Sequence, residues 1–125
     1  MRLFLLWTLV ATIAFANIQV VISNENKVVN VTKKELTDLY LGKTDTIQGV
    51  KVTPVDNKEN YKEFYRKVLK KSPDEIRAYW VRAVAYKMVP PKKMSAKEIQ
   101  KLMKKKRVIA YGTNKLNGKI IMSIK

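Results

Sequence analysis

The residues best placed to do chemistry lie where a predicted strand runs into a predicted helix, between positions 50 and 62. VKVTPV at 50–55 favours a strand, and Asp56 with Glu59 three residues later has the spacing of a helix capping box. An open helix start presents free backbone N–H groups and the positive end of the helix dipole, which together can bind an anion. Asp56 and Glu59 themselves are interpreted as helix caps. The side chains predicted to hold an anion are those of Asn57, Lys58, Asn60 and Lys62.

Missing residue types restrict the chemistry further. The chain has no histidine, which removes the commonest general base and the commonest metal ligand, and no cysteine, so the core must hold the fold without disulfides. Helix capping accounts for six of the ten acidic residues, and no carboxylate pair stands out for acid–base work. Those six are Glu35, Asp56, Glu59, Asp74, Glu75 and Glu98. We predict that the protein is not an enzyme, with no catalytic residue, metal site or cofactor.

The charge balance bears on partners. Lys and Arg outnumber Asp and Glu by 26 to 10, a formal net charge of +16, which favours polyanions, anionic lipid and small anions. A solvated lysine surface is the simpler explanation, and the basic run at 104–107 suits a helix C-terminus. Nucleic-acid binding would need exposed aromatics along a basic stripe. Most aromatics on helix faces are interpreted as core, with Tyr65 and Tyr86 partly exposed. No nucleic acid is therefore expected, and a membrane surface remains an alternative partner.

The first sixteen residues have the features of a signal peptide. Arg2 supplies a positive charge, Leu3 to Ile13 is an apolar run, and Ala14-Phe15-Ala16 is a small-x-small cleavage site. We predict cleavage after Ala16 and a single folded domain over 17–125, periplasmic or otherwise exported. An uncleaved membrane anchor is the alternative.

Hydrophobic periodicity and helix start signals predict the order β-α-β-α-α-α-β-β. Strands are expected at 18–22, 50–55, 108–111 and 119–124, and capping boxes begin helices at Thr32, Asp56, Ser72 and Ser95. Residues 27–31 are expected to be extended, and Pro54 to mark an edge, a bulge or a strand end. Strands separated by helices predict an α/β fold with parallel pairs, and Asn117-Gly118 predicts one terminal antiparallel hairpin.

Several stretches, taken together, carry a family resemblance. They are ELTDLYLGK at 35–43, VTPVD at 52–56, EFYRKVLKKSPDEIRAYW at 63–80, PP at 90–91 and VIAYG at 108–112. In this order they are similar to the short, single-lobed members of the phosphate ABC-transporter substrate-binding protein family. The resemblance implies one lobe of a type II periplasmic-binding-protein-like fold, a mixed sheet covered by helices, over 17–125. It also implies a phosphate-like inorganic anion as ligand and a transporter as partner.

The family holds phosphate with a Gly-Ser-rich turn and a neighbouring arginine after the strand that here ends at Asp56. The corresponding turn in this chain, 57–60, is Asn-Lys-Glu-Asn. Two functions follow as hypotheses. One is an exported module that binds phosphate or a similar oxyanion for an ABC transporter or sensor. The other is an envelope interaction module that binds no ligand and acts through its basic surface.

Overall fold

The computed structural model describes residues 17–113 and 116–125; the predicted signal peptide at 1–16 lies outside them. In chain order the elements are strand β1 (Ile18–Ile22), helix α1 (Lys33–Tyr40), strands β2 (Thr46–Ile47), β3 (Val50–Lys51) and β4 (Thr53–Asn57), helix α2 (Tyr61–Phe64) with a π-helical continuation (Tyr65–Leu69), helix α3 (Pro73–Val84), strand β5 (Lys92–Met94), helix α4 (Ala96–Met103), and strands β6 (Val108–Gly112) and β7 (Lys119–Ile124).

Five of the strands form one mixed sheet in the order β5-β4-β6-β1-β7. β4 pairs in parallel with both β5 and β6, whereas β1 pairs antiparallel with β6 and β7. The α/β class and the mixed sheet are confirmed. β1 is an inner strand of this sheet, and its near-continuous apolar sequence is buried on both faces because helices cover both sides of the sheet.

The helices divide into two layers. Side chains of α1, α2 and α3 share one hydrophobic cluster with alternate sheet residues such as Val20 and Tyr111. α4 packs on the opposite face, where Ile99 and Met103 meet the intervening sheet residues Val21 and Ala110. This alternation follows from the period of two along a strand. The α4 layer is therefore separated by the sheet from the layer that contains α3.

Three strand predictions are wrong in detail. The expected strand at 50–55 is split, because Val50–Lys51 turns back on Thr46–Ile47 as a small hairpin before β4 begins. Pro54 consequently lies in an inner strand, close to its start, where its missing N–H is tolerated. The terminal hairpin does not form either. β7 passes beyond β6 and pairs with β1, which lies between them.

Three of the four predicted helix starts are confirmed. The capping boxes at Thr32, Ser72 and Ser95 are all present, with the hydroxyl accepting from the third backbone N–H and the glutamate accepting from the cap N–H. Gly42 follows α1 with a φ of +71°, as expected for a glycine that ends a helix in the left-handed region.

Residues 27–31, expected to be extended, form no strand in the structure.

One buried hydroxyl ties α1 to the sheet. Tyr40 is fully buried, and its hydroxyl donates to Val55 O at 2.9 Å and to Ile109 O at 3.2 Å. These carbonyls belong to the neighbouring parallel strands β4 and β6. A single side chain of α1 therefore satisfies acceptors on both strands.

We expect Tyr40→Phe to lower the free energy of unfolding by about 1–3 kcal/mol, because it leaves buried carbonyl oxygens without that donor. Urea denaturation measures this change. Tyr86→Phe is the matched control, since the Tyr86 side chain is 81% exposed and its hydroxyl should matter by less than about 0.5 kcal/mol. Equal midpoints for the two variants would contradict the hydrogen bonds described for Tyr40.

Candidate functional site

Asp56 is not a helix cap; it is a buried residue of β4. The strand continues to Asn57, and the helix begins only at Tyr61. Asp56 is 2% exposed, and its carboxylate accepts hydrogen bonds from the hydroxyls of Tyr65 and Tyr111, the latter at 2.7 Å. Parallel pairing with Lys93 of β5 keeps residue 56 extended, so the capping box predicted with Glu59 does not form. The expectation that Tyr65 is partly exposed is also wrong, since it is 2% exposed.

The turn between β4 and α2 is closed by Asn57. Its side-chain amide donates to Tyr111 O at 3.0 Å, and its Oδ1 accepts from the backbone N–H of Glu59 at 3.0 Å. Asn57 is 2% exposed, so both of its polar atoms serve the fold. Asn60 is the cap residue of α2, and its side chain makes no capping hydrogen bond.

Lys58 and Lys62, the two lysines predicted to bind an anion, are both exposed on the surface. Lys58 Nζ is 3.7 Å from Glu98 Oε1 at the start of α4. Lys62 Nζ is 6.0 Å from the centre of the Tyr61 ring, and Lys62 and Asn60 line different cavities. The structure therefore does not bring the four candidate anion ligands together around one cavity.

A better-formed cavity lies beside Asp56, on the face of the sheet that carries α3. It has a volume of about 390 Å³, within the range of small-molecule sites. We call it the Asp56 pocket; its lining residues are Asp56, Tyr61, Tyr65, Pro73, Ile76, Arg77, Trp80, Pro90, Pro91 and Lys93. Aromatic rings, prolines and an isoleucine make most of the wall, and three ionisable side chains supply its charge.

The pocket is built by four elements and the proline pair at 90–91. β4 supplies Asp56 at its carboxyl end, the helical segment after it supplies the tyrosines, and α3 supplies Trp80 and Arg77. The short strand β5 supplies Lys93, which is the direct parallel partner of Asp56 in the sheet. Because partners in a parallel pair project to the same face, the lysine and the carboxylate lie on the same side of the sheet.

Burial governs the electrostatics of this pocket. Desolvation raises the pKa of Asp56 to about 6, although hydrogen bonds from Tyr65 and Tyr111 and the charge of Lys93 oppose the rise. Burial and the neighbouring Asp56 charge raise the pKa of the Tyr65 and Tyr111 hydroxyls above the usual tyrosine range. Both hydroxyls consequently remain protonated donors to the carboxylate.

The cations stand at the pocket wall. Lys93 Nζ is 4.0 Å from the centre of the Tyr61 ring, a cation–π distance. Arg77 Nη1 is 3.1 Å from Asp74 Oδ1 one helical turn earlier. Both side chains belong to exposed residues, so they are accessible to a ligand. The carboxylate of Asp56 is almost completely buried and already accepts hydrogen bonds from Tyr65 and Tyr111.

Two larger concavities, of about 630 and 750 Å³, are weaker candidates. The first lies between the end of β1 and α4, and the second between the 42–45 loop and the 88–92 segment. The first is lined by Glu25, whose side chain is 9% exposed and already paired with Arg107 at 3.4 Å. The second is lined by no buried ionisable side chain. The Asp56 pocket combines a buried carboxylate, accessible cations and an aromatic wall, and we take it as the candidate site.

The sequence interpretation missed Lys93 because it missed β5. The predicted strands leave out the segment after Pro90-Pro91, and three residues of that segment join the sheet. An available signal was the position of Lys92-Lys93-Met94 between a proline pair and the capping box at Ser95. Such a short extended segment can be placed beside β4 only by its tertiary pairing.

The fold and site define the protein as an α/β domain with a mixed five-stranded sheet and a small pocket at the carboxyl end of β4. No protein-family model matches the chain, and no curated protein matches it. The resemblance to substrate-binding proteins therefore stays a prediction. In the described part of the chain, no helix has the length and apolar character needed to cross a membrane.

Proposed function

We propose that this chain is a binding module of the substrate-binding-protein type whose ligand is a small organic anion held in the Asp56 pocket. The observation that carries the proposal is the placement of Lys93 and Arg77 on the wall of an otherwise largely apolar cavity. Cations attract the acidic group of a ligand, while aromatic and proline surfaces cover its apolar part. The net charge of +16 adds a long-range attraction for anions.

The lining favours an organic anion over inorganic phosphate. A bare oxyanion needs several hydrogen-bond donors that converge on it. Tyr65 and Tyr111 are engaged by Asp56, and Asn57 is engaged within the fold. The phosphate-like oxyanion expected from the family resemblance becomes the comparison ligand. Delivery to an ABC transporter or a sensor outside the cytoplasm is the part of the proposal that rests on the resemblance alone.

Calorimetric titration of the full chain tests the ligand class. Phenyl phosphate and benzoate are the probes, with inorganic phosphate, sulfate and the neutral benzyl alcohol as comparisons. We expect heat from the aromatic anions and little from the other compounds, because both the charge and the ring are needed. If neither phenyl phosphate nor benzoate binds at millimolar concentration, the proposed ligand class is excluded.

Lys93→Gln is expected to weaken binding of the aromatic anion about tenfold, since a hydrogen bond to a charged group is worth about 1.5–3 kcal/mol. Lys92→Gln is the matched control. It removes the same charge one residue earlier in β5, where the side chain lines the 750 Å³ concavity and not the Asp56 pocket. Equal losses in both variants would mean that bulk charge alone attracts the anion and that the pocket is not the site.

A further inference from the structure

The end of α3 and the segment after it expose an unusual concentration of apolar side chains. Within residues 17–113 and 116–125, six large hydrophobic side chains are exposed, and four of them fall between positions 81 and 89. These four, which we call the docking patch, are Val81 at 71%, Val84 at 54%, Tyr86 at 81% and Val89 at 82% exposed. Single exposed apolar residues need no explanation, whereas four within nine residues of the chain favour an interaction surface.

The backbone explains why the patch protrudes. Ile76, Trp80 and Ala83 anchor the inner face of α3 in the core. The chain then leaves the helix through a tight turn in which Lys87 has a φ of +64° and the Met88 N–H bonds back to Ala83 O at 3.3 Å. Val81, Tyr86 and Val89 are each more than 70% exposed, so they project outward, and Val89 also borders the 750 Å³ concavity.

The surroundings of the docking patch are strongly basic. The stretch 76–97 contains no acidic residue and six cations. They are Arg77, Arg82, Lys87, Lys92, Lys93 and Lys97. From a neighbouring element, Asp45 lines the concavity beside Met88 and Val89 and is 4.0 Å from Lys51 Nζ. Positive charge therefore predominates around the exposed apolar side chains.

We propose that the docking patch binds the surface of an anionic lipid bilayer. Projecting apolar side chains can enter a fluid interface without a complementary cavity, while the surrounding cations meet the lipid headgroups. A tyrosine suits this boundary because its ring is apolar and its hydroxyl is polar. The proposal is independent of ligand binding, since it places the whole chain at a membrane whether or not the Asp56 pocket is filled.

Vesicle sedimentation tests the role of charge. The probes are phosphatidylcholine vesicles with and without phosphatidylglycerol, and binding is expected only to the anionic vesicles. The Arg82→Gln, Lys87→Gln double variant should bind about thirtyfold more weakly, because each cation near such a surface contributes about a fivefold gain in affinity. The Lys101→Gln, Lys105→Gln double variant loses the same charge from α4 and the turn that follows it, and should retain most of its affinity. Equal losses in the two variants would overturn the proposal.

A fluorescent label tests which surface makes contact. The chain contains no cysteine, so Val89→Cys and Lys101→Cys each give one labelling position for an environment-sensitive dye on the full chain. We expect a blue shift and protection from an aqueous quencher at position 89 on adding anionic vesicles, and no change at position 101. If vesicles bind without any change at position 89, the docking patch is not the contact, and residues 1–16 are then a candidate. A shift at position 89 that grows with protein concentration in the absence of vesicles would indicate a second copy of the chain, and it would also overturn the proposal.

Discussion

Replacing Asp56 by asparagine is expected to abolish a loss of stability that the wild-type protein undergoes between about pH 4 and about pH 7. Burial raises the pKa of Asp56 from 3.8 to about 6. In this interval the folded protein therefore holds a proton that the unfolded chain has released. The stabilisation is complete below the unfolded pKa and is lost as pH rises through the folded pKa. Since one pKa unit corresponds to about 1.36 kcal/mol, the full difference is about 3 kcal/mol.

Chemical denaturation at several pH values measures this effect as a difference between wild type and Asp56→Asn. Subtracting the free energies of unfolding of the two proteins at each pH cancels the contributions of the other carboxyl groups. These include Glu75 and Glu98, the capping-box glutamates whose pKa is lowered. The variant should gain about 3 kcal/mol relative to wild type between pH 4 and pH 7. Asp38→Asn, at a surface ion pair with Lys34, is the control and should change by about 1 kcal/mol or less. Parallel pH profiles for wild type and Asp56→Asn would contradict the buried carboxylate.

Truncating Phe64 to alanine is expected to cost about 3–5 kcal/mol, close to the whole stability of a small domain. Phe64 has no exposed surface, and its ring stacks on Tyr111 with the centroids 3.8 Å apart and the planes 2° from parallel. Tyr40 lies against the same ring at a centroid distance of 4.9 Å. The substitution removes packing from both of these rings and from Tyr65, whose ring centroid is 5.9 Å away. It leaves a cavity beside Tyr111, one of the two tyrosines that donate to Asp56.

Urea denaturation gives the size of this loss, and two variants bracket it. Phe64→Leu keeps most of the volume and should cost less than about 1.5 kcal/mol. Tyr86→Ala removes an exposed ring and should cost less than about 0.5 kcal/mol. A loss below about 1 kcal/mol for Phe64→Ala would mean that this ring is not at the centre of the core, because such a loss is typical of partly exposed sites.

Three helix starts were predictable because their causes are local. A capping box needs only a hydroxyl residue and a glutamate three positions later, and the boxes at Thr32, Ser72 and Ser95 all form. The buried stripe of α2 and its continuation was predictable for the same reason. Phe64, Val68 and Leu69 follow helical spacing, and all three are buried.

The same local rule failed at Asp56, where a stronger non-local interaction competes. Asp56 and Glu59 have capping-box spacing, yet pairing of β4 with β5 holds residues 55–57 extended. The carboxylate is then directed to Tyr65 and Tyr111, the second of which lies 55 residues away in the chain. No local sequence pattern indicates that these groups meet. The sequence analysis also did not predict the π-helical turn at 65–69, which contains Tyr65.

By itself, the sequence determined the α/β class, three capped helices and most of the core, because hydrophobic periodicity and capping act over a few neighbouring residues. Tertiary structure alone decided the strand order, the burial of Asp56 and the meeting of Asp56, Lys93 and Trp80 around one pocket. The physical reason is that β5 is only three residues long, too short to be specified locally, and it takes its place by parallel pairing with β4. The sequence predicted a site at the strand-to-helix turn, whereas the candidate pocket in the structure lies beside that turn, on the face of the sheet that carries α3.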